Sequence, residues 1–150
     1  MAVRVQQADF DVAAEIDALA AGRTDIGAVA TFTGLVREFA GGAGAAMTLE
    51  HYPGMTERAL AEIDAEAGAR WPLTGSVIVH RVGRLAPGDR IVLVATASAH
   101  RHAAFEAAMF LMDYLKTRAP FWKKEEAEGA GARWVDARES DDAAAARWRR

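Results

Sequence analysis

The sequence predicts an α+β fold, and three observations carry that prediction. Runs of β-branched and alternating apolar residues mark several short strands. Segments with apolar residues three and four apart mark helices among them. The two kinds of segment mix without regular alternation, so the reading is a mixed sandwich.

The elements follow in order. Val3-Arg4-Val5 alternates as a short strand. Residues 9–21 read as a helix capped by Asp9 or Asp11, with Val12, Ile16 and Leu19 on one face. Residues 27–36 are rich in β-formers and predict a buried strand. The glycine-rich stretch from Glu38 to Ala45 predicts a mobile loop, and 47–52 alternates as a strand. Pro53-Gly54 marks a turn before a helix over 56–70 with Leu60, Ile63 and Ala67 inward. Residues 76–82 and 90–97 predict strands joined at Pro87-Gly88-Asp89 by a hairpin-like turn. Ser98 caps a long helix that runs to about Arg118 and that Pro120 ends. Two short strands, 121–126 and 132–135, flank Gly129-Ala130-Gly131, and a helix over 140–148 closes the chain.

One hundred and fifty residues predict a single domain, 1–150. A chain of this length buries roughly 70% of its unfolded surface, enough for a core without covalent staples. A net charge of −3 gives no global electrostatic case for nucleic acid. Apolar runs fall short of the roughly 20 residues of a membrane span. No secretory signal is visible at the start, and the expectation is a cytoplasmic protein. Cysteine is absent, so the chain itself carries no thiolate metal site, thiol nucleophile or persulfide.

The long helix holds the informative side chains. Phe105, Met109 and Met112 form an apolar stripe, and Lys116 falls within roughly 20–40° of it. A lysine on a buried stripe is partly desolvated, which frees its amine for nucleophilic or acid–base work. The structural alternative is a snorkelling lysine that complements the helix dipole. If 121–126 is a strand, Lys123 and Glu125 share a face with Phe121, while Trp122 and Lys124 share the other. Lys123 then leans toward Lys116 across the Ala119-Pro120 bend; the alternative is an edge strand guarded by lysines. His100-Arg101-His102 lies at the first helical turn, either an anion site or a plain basic surface. Arg37 follows a buried strand and precedes a flexible loop, a common place for a binding residue and equally for a plain surface arginine. His51 and His80 alternate with apolar residues and read as structural, and the four tryptophans read as core or interface. No histidine spacing suits a metal. Residues alone therefore lead to a cationic pocket of Arg37, His100, Arg101, Lys116 and Lys123, and name no reaction.

Several stretches go further. Thr31-Phe32-Thr33-Gly34, Leu49-Glu50-His51-Tyr52-Pro53-Gly54-Met55, Ser98-Ala99-His100-Arg101, Phe105-Glu106-Ala107 and Ala137-Arg138-Glu139-Ser140-Asp141 resemble the large, catalytic subunits of molybdopterin synthase. The most specific stretch runs from Tyr114 through Lys116-Thr117-Arg118-Ala119-Pro120-Phe121-Trp122-Lys123 to Glu125. The resemblance implies an α/β hammerhead fold with a small antiparallel β subdomain. It implies transfer of two sulfurs to cyclic pyranopterin monophosphate, forming a dithiolene. The sulfur arrives as the C-terminal Gly-Gly thiocarboxylate of a small ubiquitin-like partner. No cofactor is implied. A homodimer with a partner at each end, a heterotetramer, is implied.

The same resemblance assigns Lys116 as the principal catalytic lysine and Lys123 as the second. It implies that Arg37, His100 and Arg101 hold the substrate, with Leu35, Val36, Lys124 and Glu125 completing the pocket. Leu35 stands where relatives often carry a basic or polar residue. The alternative functions are a non-catalytic docking module for a ubiquitin-like protein and an unrelated phosphate-ester enzyme.

Overall fold

The computed structural model describes residues 2–38, 45–127, 131–135 and 139–149. Within them the order is β1 (Ala2–Gln6), α1 (Val12–Ala20), β2 (Ala28–Leu35), β3 (Ala46–His51), α2 (Met55–Arg70) and β4 (Leu73–Arg81). There follow β5 (Gly83–Leu85), β6 (Arg90–Ser98), α3 (Arg101–Arg118), β7 (Phe121–Ala127), β8 (Gly131–Val135) and α4 (Glu139–Ala146). The strands form two sheets, ordered β1-β4-β6-β2 and β5-β3-β7-β8. In the first, β1 runs parallel to β4 and the other pairings are antiparallel. The second is antiparallel throughout and is the added β subdomain. The α+β expectation holds.

The central strand β6 shows why the first sheet is a middle layer. Its run from Val92 to Ser98 is buried, as a strand covered on both faces must be. Val92 and Val94 meet Ile78 of β4, Leu60, Ile63 and Ala67 of α2, and Phe110, Leu111 and Leu115 of α3. Leu93 and Ala95 meet Val77, Val79 and Phe10 on the opposite face, which α1 covers through Val12 and Leu19. Each large side chain buried this way contributes about 2 kcal/mol of transfer free energy. A third cluster of Val36, Met47, Leu49, Val82 and Leu85 joins the two sheets.

Local chemistry fixes the ends. Asp11 is the N-cap of α1, accepting a hydrogen bond from the Ala14 N–H at 3.1 Å. Asp9 instead accepts from the Phe10 N–H at 2.7 Å and from Arg90 at 3.0 Å. Gly54 enters α2 at φ +85°, a conformation that favours glycine, and its N–H donates to Glu57 at 3.2 Å.

Three expectations change. Pro87-Gly88-Asp89 does not close a simple hairpin. β4 and β6 do pair antiparallel, but between them β5 crosses to the second sheet and pairs with β3. Ser98 belongs to β6 and donates to the Pro72 carbonyl at 2.9 Å, while His100 is the N-cap of α3. The inward face of α3 is Ala103, Ala104, Ala107, Ala108, Phe110, Leu111, Tyr114 and Leu115, whereas Phe105 and Met109 are exposed. The reason is proximity. Alanines let the first half of the helix approach the sheet, Phe110, Leu111, Tyr114 and Leu115 fill the core beyond them, and Phe105 and Met109 are left on the outer face. The glycine-rich stretch lies mostly outside the described residues, as does most of the Gly129-Ala130-Gly131 turn.

Candidate active site

A cavity of about 370 Å³ opens between the two sheets. Residues from β2, β3, β4, β6, α3, β7 and α4 line it.

Arg37 reaches it from the end of β2. The pairing of β2 with β6 shifts register between Gly34 and Leu35. Beyond that irregularity the Val36 N–H donates to the Asp89 carbonyl at 2.8 Å, and the Gly88 N–H donates to the Val36 carbonyl at 2.7 Å. Those two bonds pin Val36 in the core, with exposed Leu35 and Arg37 on either side of it at the cavity.

Lys116 projects from the last turn of α3, where the Ala119 N–H closes on the Leu115 carbonyl at 3.4 Å. It is exposed, because it shares the outward stripe with Phe105 and Met109. Of the two readings of this lysine, the exposed side chain at the helix end is the one found. Lys123 arrives from β7, paired with Leu49 of β3 and Val135 of β8. Phe121, Lys123 and Glu125 line the cavity, as the alternation of a strand requires. Lys124 alternates with them, on the face of β7 that carries Trp122.

His80 is the group that sequence reasoning set aside. It is 6% exposed, lies in β4 and lines the cavity with both lysines. Its ring stacks on Phe121, and its Nδ1 lies 2.8 Å from the Arg81 carbonyl. Burial pushes its pKa down to about 4, and the nearby Lys116, Lys123 and His51 charges push the same way, against the Arg81 carbonyl. The ring is thus a neutral acceptor among cations. A signal was present in the sequence: a histidine inside an apolar strand must find a buried partner.

The lining is not purely cationic. Arg37, Lys116 and Lys123 are balanced by Glu38, Glu125 and Asp141. His100 and Arg101 are not in it. They sit exposed at the start of α3, about 22 Å along the helix axis from Lys116. No single chain can close that distance with side chains, so the five-residue pocket expected from sequence divides in two. His51, at the end of β3, faces Glu57 at 4.0 Å. Among the described residues no cluster of His, Asp or Glu could hold a metal ion.

A family model described as MoaE protein matches residues 5–118. The chain belongs to the MoaE family. A Pseudomonas aeruginosa relative named molybdopterin synthase catalytic subunit is 61% identical over 149 residues, covering 99% of either chain. A solved MoaE-family structure, molybdopterin cofactor biosynthesis protein E from Burkholderia multivorans, matches with TM-score 0.83 and 59% identity. It covers 98% of this chain and 95% of that one. A complex of subunits 1 and 2 of molybdopterin-converting factor from Helicobacter pylori shares the fold. Its TM-score is 0.71 at 20% identity, covering 91% and 90% of the two chains. Membership of the MoaE family makes the chain an enzyme of molybdenum cofactor biosynthesis, in place of the docking-module alternative. No helix among the described residues is long and apolar enough to cross a membrane.

Proposed function

We propose that the chain transfers sulfur from the C-terminal thiocarboxylate of a small ubiquitin-like carrier to cyclic pyranopterin monophosphate, forming the dithiolene of molybdopterin. The observation that carries this reading is the meeting of Lys116 and Lys123, from a helix and a strand, in one cavity beside Arg37. Each transfer forms one carbon–sulfur bond on the substrate as a carbon–oxygen bond there breaks, and water then cleaves the carrier's acyl–sulfur bond to leave it a carboxylate, so two carriers are consumed per product. The sulfur never resides on this chain, in keeping with its lack of cysteine.

Lys116 moves protons as the thiocarboxylate attacks and oxygen leaves, and Lys123 supports it. Arg37 holds the anionic substrate, with Leu35, Val36 and Glu125 shaping the wall. The carrier's flexible tail delivers its terminal sulfur to the lysines, a proximity effect. The reading calls for no bound cofactor and places the reaction in the cytoplasm.

His100 and Arg101 enter through a second copy of the chain. Phe105 (66% exposed) and Met109 (51%) follow them on the outer face of α3, and Phe32 (44%) lies on the edge strand β2. These apolar residues suit self-association. In a homodimer the partner's pair completes each substrate site, and one carrier per site gives a heterotetramer.

The test is single-turnover conversion of cyclic pyranopterin monophosphate by the full chain with thiocarboxylated carrier. Wild type should form dithiolene, and Lys116→Ala should bind carrier and form none. No product from folded wild type that binds the carrier would sink the reading.

A further inference from the structure

The ladder between β3 and β7 ends where His51 pairs with Phe121. One more step in that register sets Tyr52 opposite Pro120. A side chain occupies that rung. The Tyr52 N–H donates to Thr56 Oγ1 at 3.1 Å, and the Thr56 hydroxyl donates to the Pro120 carbonyl at 3.0 Å. The Thr56 N–H returns to the Tyr52 carbonyl at 2.9 Å. Thr56 is wholly buried in the second residue of α2, so bulk water does not replace its hydroxyl.

Pro120 is the bend between Lys116 and Lys123. Its neighbours make local backbone bonds, the Ala119 N–H to Leu115 and the Phe121 N–H to the Ala119 carbonyl at 3.0 Å, and Phe121 also pairs with His51 of β3. Beside the Phe121 contacts with His51 and His80, Thr56 ties the Pro120 carbonyl itself to α2, 64 residues away in sequence. A direct rung would hold the Tyr52 nitrogen about 2.9 Å from the Pro120 oxygen. The interposed hydroxyl makes that path two hydrogen bonds long and props the bend away from β3.

We infer that Thr56 is a positioning residue whose hydroxyl, as a side-chain rung between Tyr52 and Pro120, sets the spacing and aim of Lys116 and Lys123. The inference rests on the reading that these lysines do the chemistry. Without the hydroxyl, β3 and the bend either close to a direct rung or lose the link between the Tyr52 N–H and the Pro120 carbonyl. Both outcomes displace the bend, and a displacement of about 1 Å at a reacting pair costs up to about a hundredfold in rate.

The experiment compares wild type, Thr56→Val, Thr56→Ser and Lys116→Ala as full chains. Single-turnover sulfur transfer from thiocarboxylated carrier to cyclic pyranopterin monophosphate is measured beside carrier affinity. Thr56→Val should be slowed roughly tenfold to a hundredfold with carrier affinity held within about twofold. Thr56→Ser, which restores the hydroxyl, should stay within about threefold of wild type. A folded Thr56→Val at wild-type rate beside an inactive Lys116→Ala overturns the inference alone. Lys116→Ala at wild-type rate overturns the reading of the lysines and the inference with it. If Thr56→Val does not fold, Thr56→Cys takes its place, since a thiol fills the site but donates weakly. Failure of both to fold makes Thr56 a stability residue and overturns the positioning role.

Discussion

The imidazole of His80 lies nearly parallel to the ring of Phe121, with centroids 3.9 Å apart and planes 21° from coplanar. The contact fastens β4 of the first sheet to β7 of the second at the cavity that both lysines line. A carbonyl oxygen only accepts, so the Arg81 carbonyl fixes the proton on Nδ1 and leaves the lone pair on Nε2.

This ring makes stability depend on pH. Its pKa falls from 6.5 to about 4 on folding, so between those values the unfolded chain binds a proton that the folded chain refuses. The contribution is fully present above pH 6.5 and is lost as pH falls through 4, roughly 3 kcal/mol in all. Urea unfolding of wild type and His80→Phe across this window checks it. The variant keeps a stacking ring and should show a flatter profile; identical profiles would remove His80 as the cause.

Asp64 carries the opposite sign. It is 4% exposed in α2 and accepts from the Ser76 hydroxyl at 2.6 Å. Burial raises its carboxyl above 3.8, so its contribution is full below that value and is lost as pH rises through the raised one. Asp64→Asn keeps an acceptor for Ser76 and removes the buried charge. Thermal unfolding at neutral pH should show no loss, or a gain of about 1 kcal/mol. A loss above about 2 kcal/mol would contradict the sign.

Trp148 anchors the end of the chain. It packs edge-on against Trp71 and Phe110, and its Nε1–H donates to Asp113 at 2.6 Å. Trp148→Ala should cost about 3 kcal/mol. Because Asp141 of α4 lines the cavity, the same variant should weaken substrate binding more than carrier binding. Calorimetric unfolding and substrate titration separate the two effects.

The division of the cationic residues makes a prediction about mixed dimers. Lys116→Ala and Arg101→Ala chains should each be inactive alone. Co-refolded, they should regain turnover, because one site per mixed dimer then holds intact Lys116 and the partner's intact Arg101. Absence of any recovery in verified mixed dimers would show that Arg101 does not act across the interface.

Element order was legible because it rests on local rules: period-two alternation, three- and four-residue spacing, and Pro-Gly punctuation. The facing of Phe121, Lys123 and Glu125 followed from strand alternation and holds. The facing of α3 did not follow, because hydrophobicity ranks Phe105 and Met109 above Ala104 and Ala108 while close packing selects the alanines. β5 was hidden because three residues carry too little pattern to separate from a turn. Grouping Arg101 with Lys116 failed for a geometric reason. Residues on one helix feel near in sequence, yet each adds 1.5 Å of rise. Thr56 was invisible because its partner, Pro120, lies far along the chain in the connection between α3 and β7, and only the register of β3 and β7 shows the rung between them.

The cavity wall draws on segments from Leu35 to Asp141, contributed by both sheets, α3 and α4. It therefore works as a checksum on the whole polypeptide. A nascent chain that has completed the first sheet and α3 already owns Lys116 and Arg37, but it lacks Lys123, Glu125 and Asp141. Such a fragment has nowhere to seat a labile acyl-sulfur group. The wall is complete only after β7 has docked on β3 and α4 has followed with Asp141, so an activated donor is spared from half-made enzyme.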